Sequence, residues 1–156
     1  MSDIDLLRQL MADLGPATDA VATVAESPDG ATWAIEMEDE SVVHVDLDAE
    51  LSRLALTTVL PSPTPEHRAR TCEALLTFNL LWQDASAVRM ALDEPGGKII
   101  QVAELAVAAL SLQGLQDTLA EFVRKAALWR TAIAAGCGQA PCAEVFEHFG
   151  AHMLRV

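Results

Sequence analysis

Tyrosine is absent from this 156-residue chain, and the other aromatics amount to three Trp and four Phe. A core made from this composition has to rest on Leu, Val, Ile and Ala. Basic residues are also scarce, ten Lys and Arg against 23 Asp and Glu, which gives a net charge of -13. The deficit is uneven. Residues 1–60 hold thirteen acidic side chains against Arg8 and Arg53, whereas residues 61–156 hold ten against eight. An acidic half repels phosphate backbones and anionic lipid, so neither nucleic acid nor a membrane surface is expected as a partner. A basic or charge-complementary protein partner is allowed, and a solvated surface that aids solubility explains the same charge. Long apolar runs are missing, so no segment is expected to span a bilayer. The start, Met1-Ser2-Asp3-Ile4-Asp5, has no positive stretch leading into an apolar one and does not read as a signal peptide. Cysteines number three, an odd count that points to reduced thiols in a cytoplasm.

Catalytic signatures are missing too. Gly96-Gly97 sits in a hairpin link, and Gly136-Cys137-Gly138 follows a helix, so neither has the strand–loop–helix setting of a phosphate loop. Serine has no elbow motif, and His44, His67, His148 and His152 fall into no nucleophile–base arrangement. No enzyme, catalytic residue or cofactor is expected. Cys137, Cys142, His148 and His152 have the side chains of a zinc site, with the two histidines on one helix face. The gap from Cys142 to His148 is shorter than in common zinc fingers, and a Cys137–Cys142 disulfide suits an oxidising compartment better. Incidental residues in a loosely packed tail remain the preferred reading, with no metal expected.

The pattern that is present describes an α+β domain. Ile4, Leu7, Met11 and Leu14 recur at helical spacing, widened by Leu6 and Leu10, so a helix is predicted over 3–14. Ser2 or Asp3 can cap it, and Gly15, in a left-handed conformation, followed by Pro16 should end it. Period-two alternation predicts strands at Thr32–Glu38, Ser41–Asp48 and Arg53–Leu60. Pro61-Ser62-Pro63-Thr64-Pro65 breaks the sheet, and Thr64 with Pro65 opens a second helix over about 65–83. Two further strands, Ala87–Leu92 and Lys98–Ala103, flank the turn Asp93-Glu94-Pro95-Gly96-Gly97. The longest helix is expected over 111–134 with Gly136 at its end, and a weak helix over about 143–154. Five antiparallel strands and three flanking helices, in the order α-βββ-α-ββ-α, would occupy 1–136, with a tail over 137–156. Cys72 falls on the apolar stripe of the second helix and is expected to be a buried, inert thiol. Asn79, set among leucines, should hydrogen-bond to backbone or across a dimer seam. Trp33 and Trp129 read as core, and Trp82 as a candidate for an interface.

In these features the sequence resembles the class I type III secretion chaperones, the Tir-chaperone-like family. The resemblance runs through the leucine-rich end of the first helix, Leu10-Met11-Ala12-Asp13-Leu14-Gly15, and the paired leucine and asparagine of Leu75-Leu76-Thr77-Phe78-Asn79. It continues in the hairpin Val88–Val102 and in Leu115-Gln116-Asp117-Thr118-Leu119-Ala120-Glu121-Phe122-Val123, running on to Trp129. It covers residues 3–134 and leaves the tail outside. It implies a cytoplasmic homodimer that binds the extended N-terminal segment of a secreted effector and keeps it secretion-competent, without a cofactor. An adaptor of the same fold that sequesters a transcription or export factor is the alternative. Extended-segment capture uses strand edges and apolar pockets. The first helix carries apolar residues around much of its circumference, so the effector-binding set is expected at Ile4, Leu6, Leu7, Leu10, Trp33 and Ile35. As in the family, the dimer interface is expected on the second helix and the strand after it, at Phe78, Trp82, Ala87, Val88, Ala91 and Leu92.

Overall fold

The structure, a computed structural model, describes residues 2–80 and 88–137. The first helix, α1 (Asp3–Leu14), starts on a capping box. The Ser2 hydroxyl accepts from the Asp5 N–H, and the Asp5 carboxylate accepts from the Ser2 N–H at 3.3 Å. Its end differs from expectation. Gly15 is right-handed, with φ -57°, so Pro16 alone supplies the stop.

The described residues hold six strands, one more than the alternation predicts: β1 (Val21–Glu26), β2 (Thr32–Met37), β3 (Val42–Asp48), β4 (Arg53–Leu60), β5 (Arg89–Leu92) and β6 (Ile99–Ala106). They form one sheet in the order β1-β2-β3-β4-β6-β5, so β1 and β5 are its edges. The pairs β1–β2, β2–β3, β3–β4 and β5–β6 are antiparallel. β1 escapes a pattern search because it buries only Val21, and a shift in register between Val21 and Thr23 interrupts its period of two. Pairing with β2, not an apolar face of its own, makes it a strand.

A 3-10 turn (Pro65–His67) leads into α2 (Arg68–Leu80). Thr64 sits at the cap position, yet its side chain bonds no backbone N–H; its hydroxyl lies 3.0 Å from Nδ1 of His67. The last long element is α3 (Leu112–Ala134), and it ends as expected at Gly136. Gly136 has φ +75°, its N–H bonds the Ile133 carbonyl, and the Cys137 N–H bonds the Ala132 carbonyl. This is the Schellman arrangement, which satisfies the orphan carbonyls of the final turn.

The described residues fall into two compact units. The first comprises 2–58 and 103–121. Its core holds Leu7, Leu10, Met11 and Leu14 of α1 with Trp33, Ile35, Val43, Val45, Leu54, Leu56, Leu115 and Leu119. Each such side chain contributes roughly 1.5–3 kcal/mol when removed from water. Arg8 ties α1 to β1 through Glu26 at 2.9 Å, a bond too exposed to add much. The second unit comprises 59–80, 88–102 and 122–137. There Phe78 meets Trp129 edge to face, with ring centroids 5.4 Å apart, and the Gln101 amide donates to the Phe122 carbonyl at 2.8 Å. Arg68 reaches the hairpin between β5 and β6, donating to the Gly97 carbonyl at 2.9 Å. Among the described residues no helix is long and apolar enough to cross a membrane.

Candidate interaction site at helix α2 and edge strand β5

The second unit keeps a large apolar face uncovered. Helix α2 turns apolar side chains in two directions. Thr71, Leu75 and Phe78 face inward and are buried, whereas Leu76 and Leu80 are 69% and 67% exposed. Leu75 and Leu76 are adjacent, and a turn of about 100° per residue seats Leu75 against the unit's core, with only its edge at the surface, while Leu76 stands in solvent. Cys72, Leu75, Leu76 and Asn79 form one stripe along α2, and with Met90, Ala91 and Leu92 of β5 they line an apolar groove. Leu92 is 41% exposed and Ala91 is also exposed. Leu76 and Leu92 in water along one groove, with Leu80 exposed on the same helix, exceed the isolated surface leucine that any protein tolerates.

Asn79 fixes this groove's floor. Its Nδ2 donates to the Met90 carbonyl and its Oδ1 accepts from the Met90 N–H, both at 2.8 Å. The amide thus treats Met90 as a neighbouring strand would, which realises the backbone bond expected of this residue. Cys72 is half-buried at the groove and not sealed in the core as expected.

The expected dimer residues divide three ways. Ala91 and Leu92 lie on the open face. Phe78 and Val88 are 5% exposed each; Phe78 is committed to Trp129, and both have little surface to give a partner. Trp82 and Ala87 lie outside the described residues. Leu76 and Leu80 take the place of Phe78 and Val88 as the exposed apolar residues. The doubled leucines of α2, more than one stripe can bury, are the signal for them.

The expected effector-binding set also divides. Leu7 and Ile35 are fully buried, Trp33 is 2% exposed and Leu10 8% exposed. These four build the first unit's own core, because α1 and the inward residues of β2 are what cover its apolar face. Ile4 and Leu6 stay half-buried. Among the described residues strand β1 has a neighbour on one side only, and most of its side chains are exposed. Among the described residues no three His, Cys, Asp or Glu side chains gather as a metal site. Cys137 is buried at the end of α3, and Cys142, His148 and His152 lie outside the described residues.

Hydrogen bonds from Ser2 hold the Asp5 carboxyl below its usual range, and the Ala31 N–H and Ser27 hydroxyl do the same for Asp29.

A meander, a helix with an outward leucine pair and an edge strand beside it leave apolar surface open at α2 and β5. The Tir chaperone protein (CesT) family model matches residues 6–130, and the chain belongs to that family. No curated protein is matched by the sequence. Among solved structures, a chain of the ExsC–ExsE complex aligns with a TM-score of 0.68 at 21% identity, over 85% of this chain and 97% of its own. The HopA1–SchA chaperone–effector complex gives 0.68 at 18% identity, over 83% and 96%. The Yersinia pestis type III secretion chaperone SycH, in complex with a stable fragment of YscM2, gives 0.59 at 21% identity, over 81% and 98%. At these identities the structures share the fold with this chain.

Proposed function

We propose that this protein is a cytoplasmic type III secretion chaperone, a homodimer that holds the extended N-terminal segment of a secreted effector in a secretion-competent state. The family match across residues 6–130 carries the reading. The open faces give it physical form. Leu76, Leu80, Ala91 and Leu92 make the apolar seam between two copies. Burying these exposed leucines against a two-fold copy removes apolar surface from water, which is the main gain in such an interface. The client lies against the first unit, where the half-buried Ile4 and Leu6 offer apolar contact and β1 offers an unpaired edge. Hydrogen bonds along an edge contribute about 0.5–1.5 kcal/mol each, so side-chain contacts decide which client is held. The protein acts by binding, and no catalytic step belongs to this reading.

The test is to isolate the tagged protein from its own host and identify what accompanies it by mass spectrometry. Two copies holding one secreted protein through its N-terminal region would establish the reading. Recovery of a cytoplasmic transcription or export factor instead would make it a sequestering adaptor, and no partner at all would remove the chaperone assignment.

A further inference from the structure

We infer that Asn79 is the residue that closes the β5 edge to strand addition, so that the α2–β5 face can associate through side chains only. The inference deepens the reading above, because it specifies how one edge of a peptide-binding sheet is kept out of use.

The argument starts from the ladder. In an antiparallel pair, successive residues point their N–H and C=O alternately toward and away from the partner strand. The Asp93 N–H bonds the Lys98 carbonyl across the hairpin, which sets the alternation. Arg89 and Ala91 therefore face β6, while Met90 and Leu92 face outward. β5 has four residues, so its outer edge presents just those two. Asn79 occupies both backbone groups of Met90, at 2.8 Å each. Leu92, next to the turn, is left as an isolated position, and an isolated position cannot seed a ladder. An open strand edge is a template for any other chain. Here the edge lies in the same groove as Leu76 and Leu92, and this sticky surface would otherwise invite pairing of β5 with β5 from another copy. A primary amide is the side chain that copies a peptide group on both counts, donating and accepting. Asp would set a carboxylate against the Met90 carbonyl, and Leu would offer neither bond.

The experiment uses the full-length protein without client. Wild type should show a Met90 amide strongly protected from hydrogen exchange, and a mass by light scattering that stays constant with concentration once its dimer has formed. Asn79→Leu should speed Met90 exchange by at least about fivefold, the loss expected for one backbone bond. It should also form species heavier than wild type, growing with concentration. A folded Asn79→Leu protein whose mass matches wild type throughout would overturn the inference, as would a wild-type Met90 amide that exchanges like an unstructured one. The second measurement needs no variant, so it decides the matter even if Asn79→Leu does not fold. Absence of a client would sink the chaperone reading and leave both results standing.

Discussion

Helices α1 and α2 are near equals in length, twelve and thirteen residues, yet their large apolar side chains are disposed differently. α1 places Leu7, Leu10, Met11 and Leu14 on a single stripe and buries all four. α2 divides its set, Leu75 and Phe78 inward, Leu76 and Leu80 outward. A helix gives to its own fold the stripe that faces the core, as α1 does with its four buried residues while Ile4 and Leu6 stay half-buried beside them. One that carries a second apolar side keeps surface for another molecule. The distinction lies in the arrangement of leucines, and their number does not reveal it.

Five changes would break or sharpen the contrast. The largest effect is expected inside. Phe78→Ala removes the ring packed on Trp129 and should cost about 3–5 kcal/mol, with Leu7→Ala in α1 costing about 2–5 kcal/mol, read from denaturant unfolding. The outward side should behave differently. Leu76→Glu should leave monomer stability within about 0.5 kcal/mol, as for other surface changes. It should weaken self-association by at least about tenfold, as loss of an interface anchor does, measured by sedimentation. Equal loss of monomer stability in Leu76→Glu and Phe78→Ala would erase the two-sided description of α2.

Smaller effects separate the helix starts. Ser2→Ala should destabilise by about 1 kcal/mol, whereas Thr64→Ala should lose no capping bond, because of these two hydroxyls only that of Ser2 accepts from a helix N–H. A comparable loss in both would mean that Thr64 contributes in another way. The smallest effect is in pH. Hydrogen bonds from Ser2 lower the Asp5 pKa in the folded state, so their contribution is present above the ordinary carboxylate value and fades as pH falls through the folded one. The pH slope of stability in that acid range should be shallower in Ser2→Ala, and an unchanged slope would detach Asp5 from the cap.

Much of the frame is legible in the sequence because local chemistry and tertiary packing agree there. Ser2, the α1 stripe and Pro16 bound the first helix, and alternating residues bound β2, β3 and β4. Gly136 marks the end of α3, where φ +75° is required and an added Cβ would come within 2.9 Å of the His67 ring. Strand β1 is not legible, since a half-wet edge strand with a broken period shows no pattern to read. The site is harder still. Exposure depends on which stripe the fold covers, so the leucines of α1 look as available in the sequence as those of α2. Asn79 is partly legible: an amide among leucines announces a hydrogen bond, and only the coordinates identify Met90 as its partner.

The irregularity in β1 has a consequence for any segment that lies along it. On a uniform edge, a guest strand can slide by two residues, recover every bond and keep the same side chains inward. The step between Val21 and Thr23 removes that freedom, because each slide carries a different part of the guest over the uneven place. The edge then works as a ruler with one displaced mark, and a guest that fits it has a single position at which to rest.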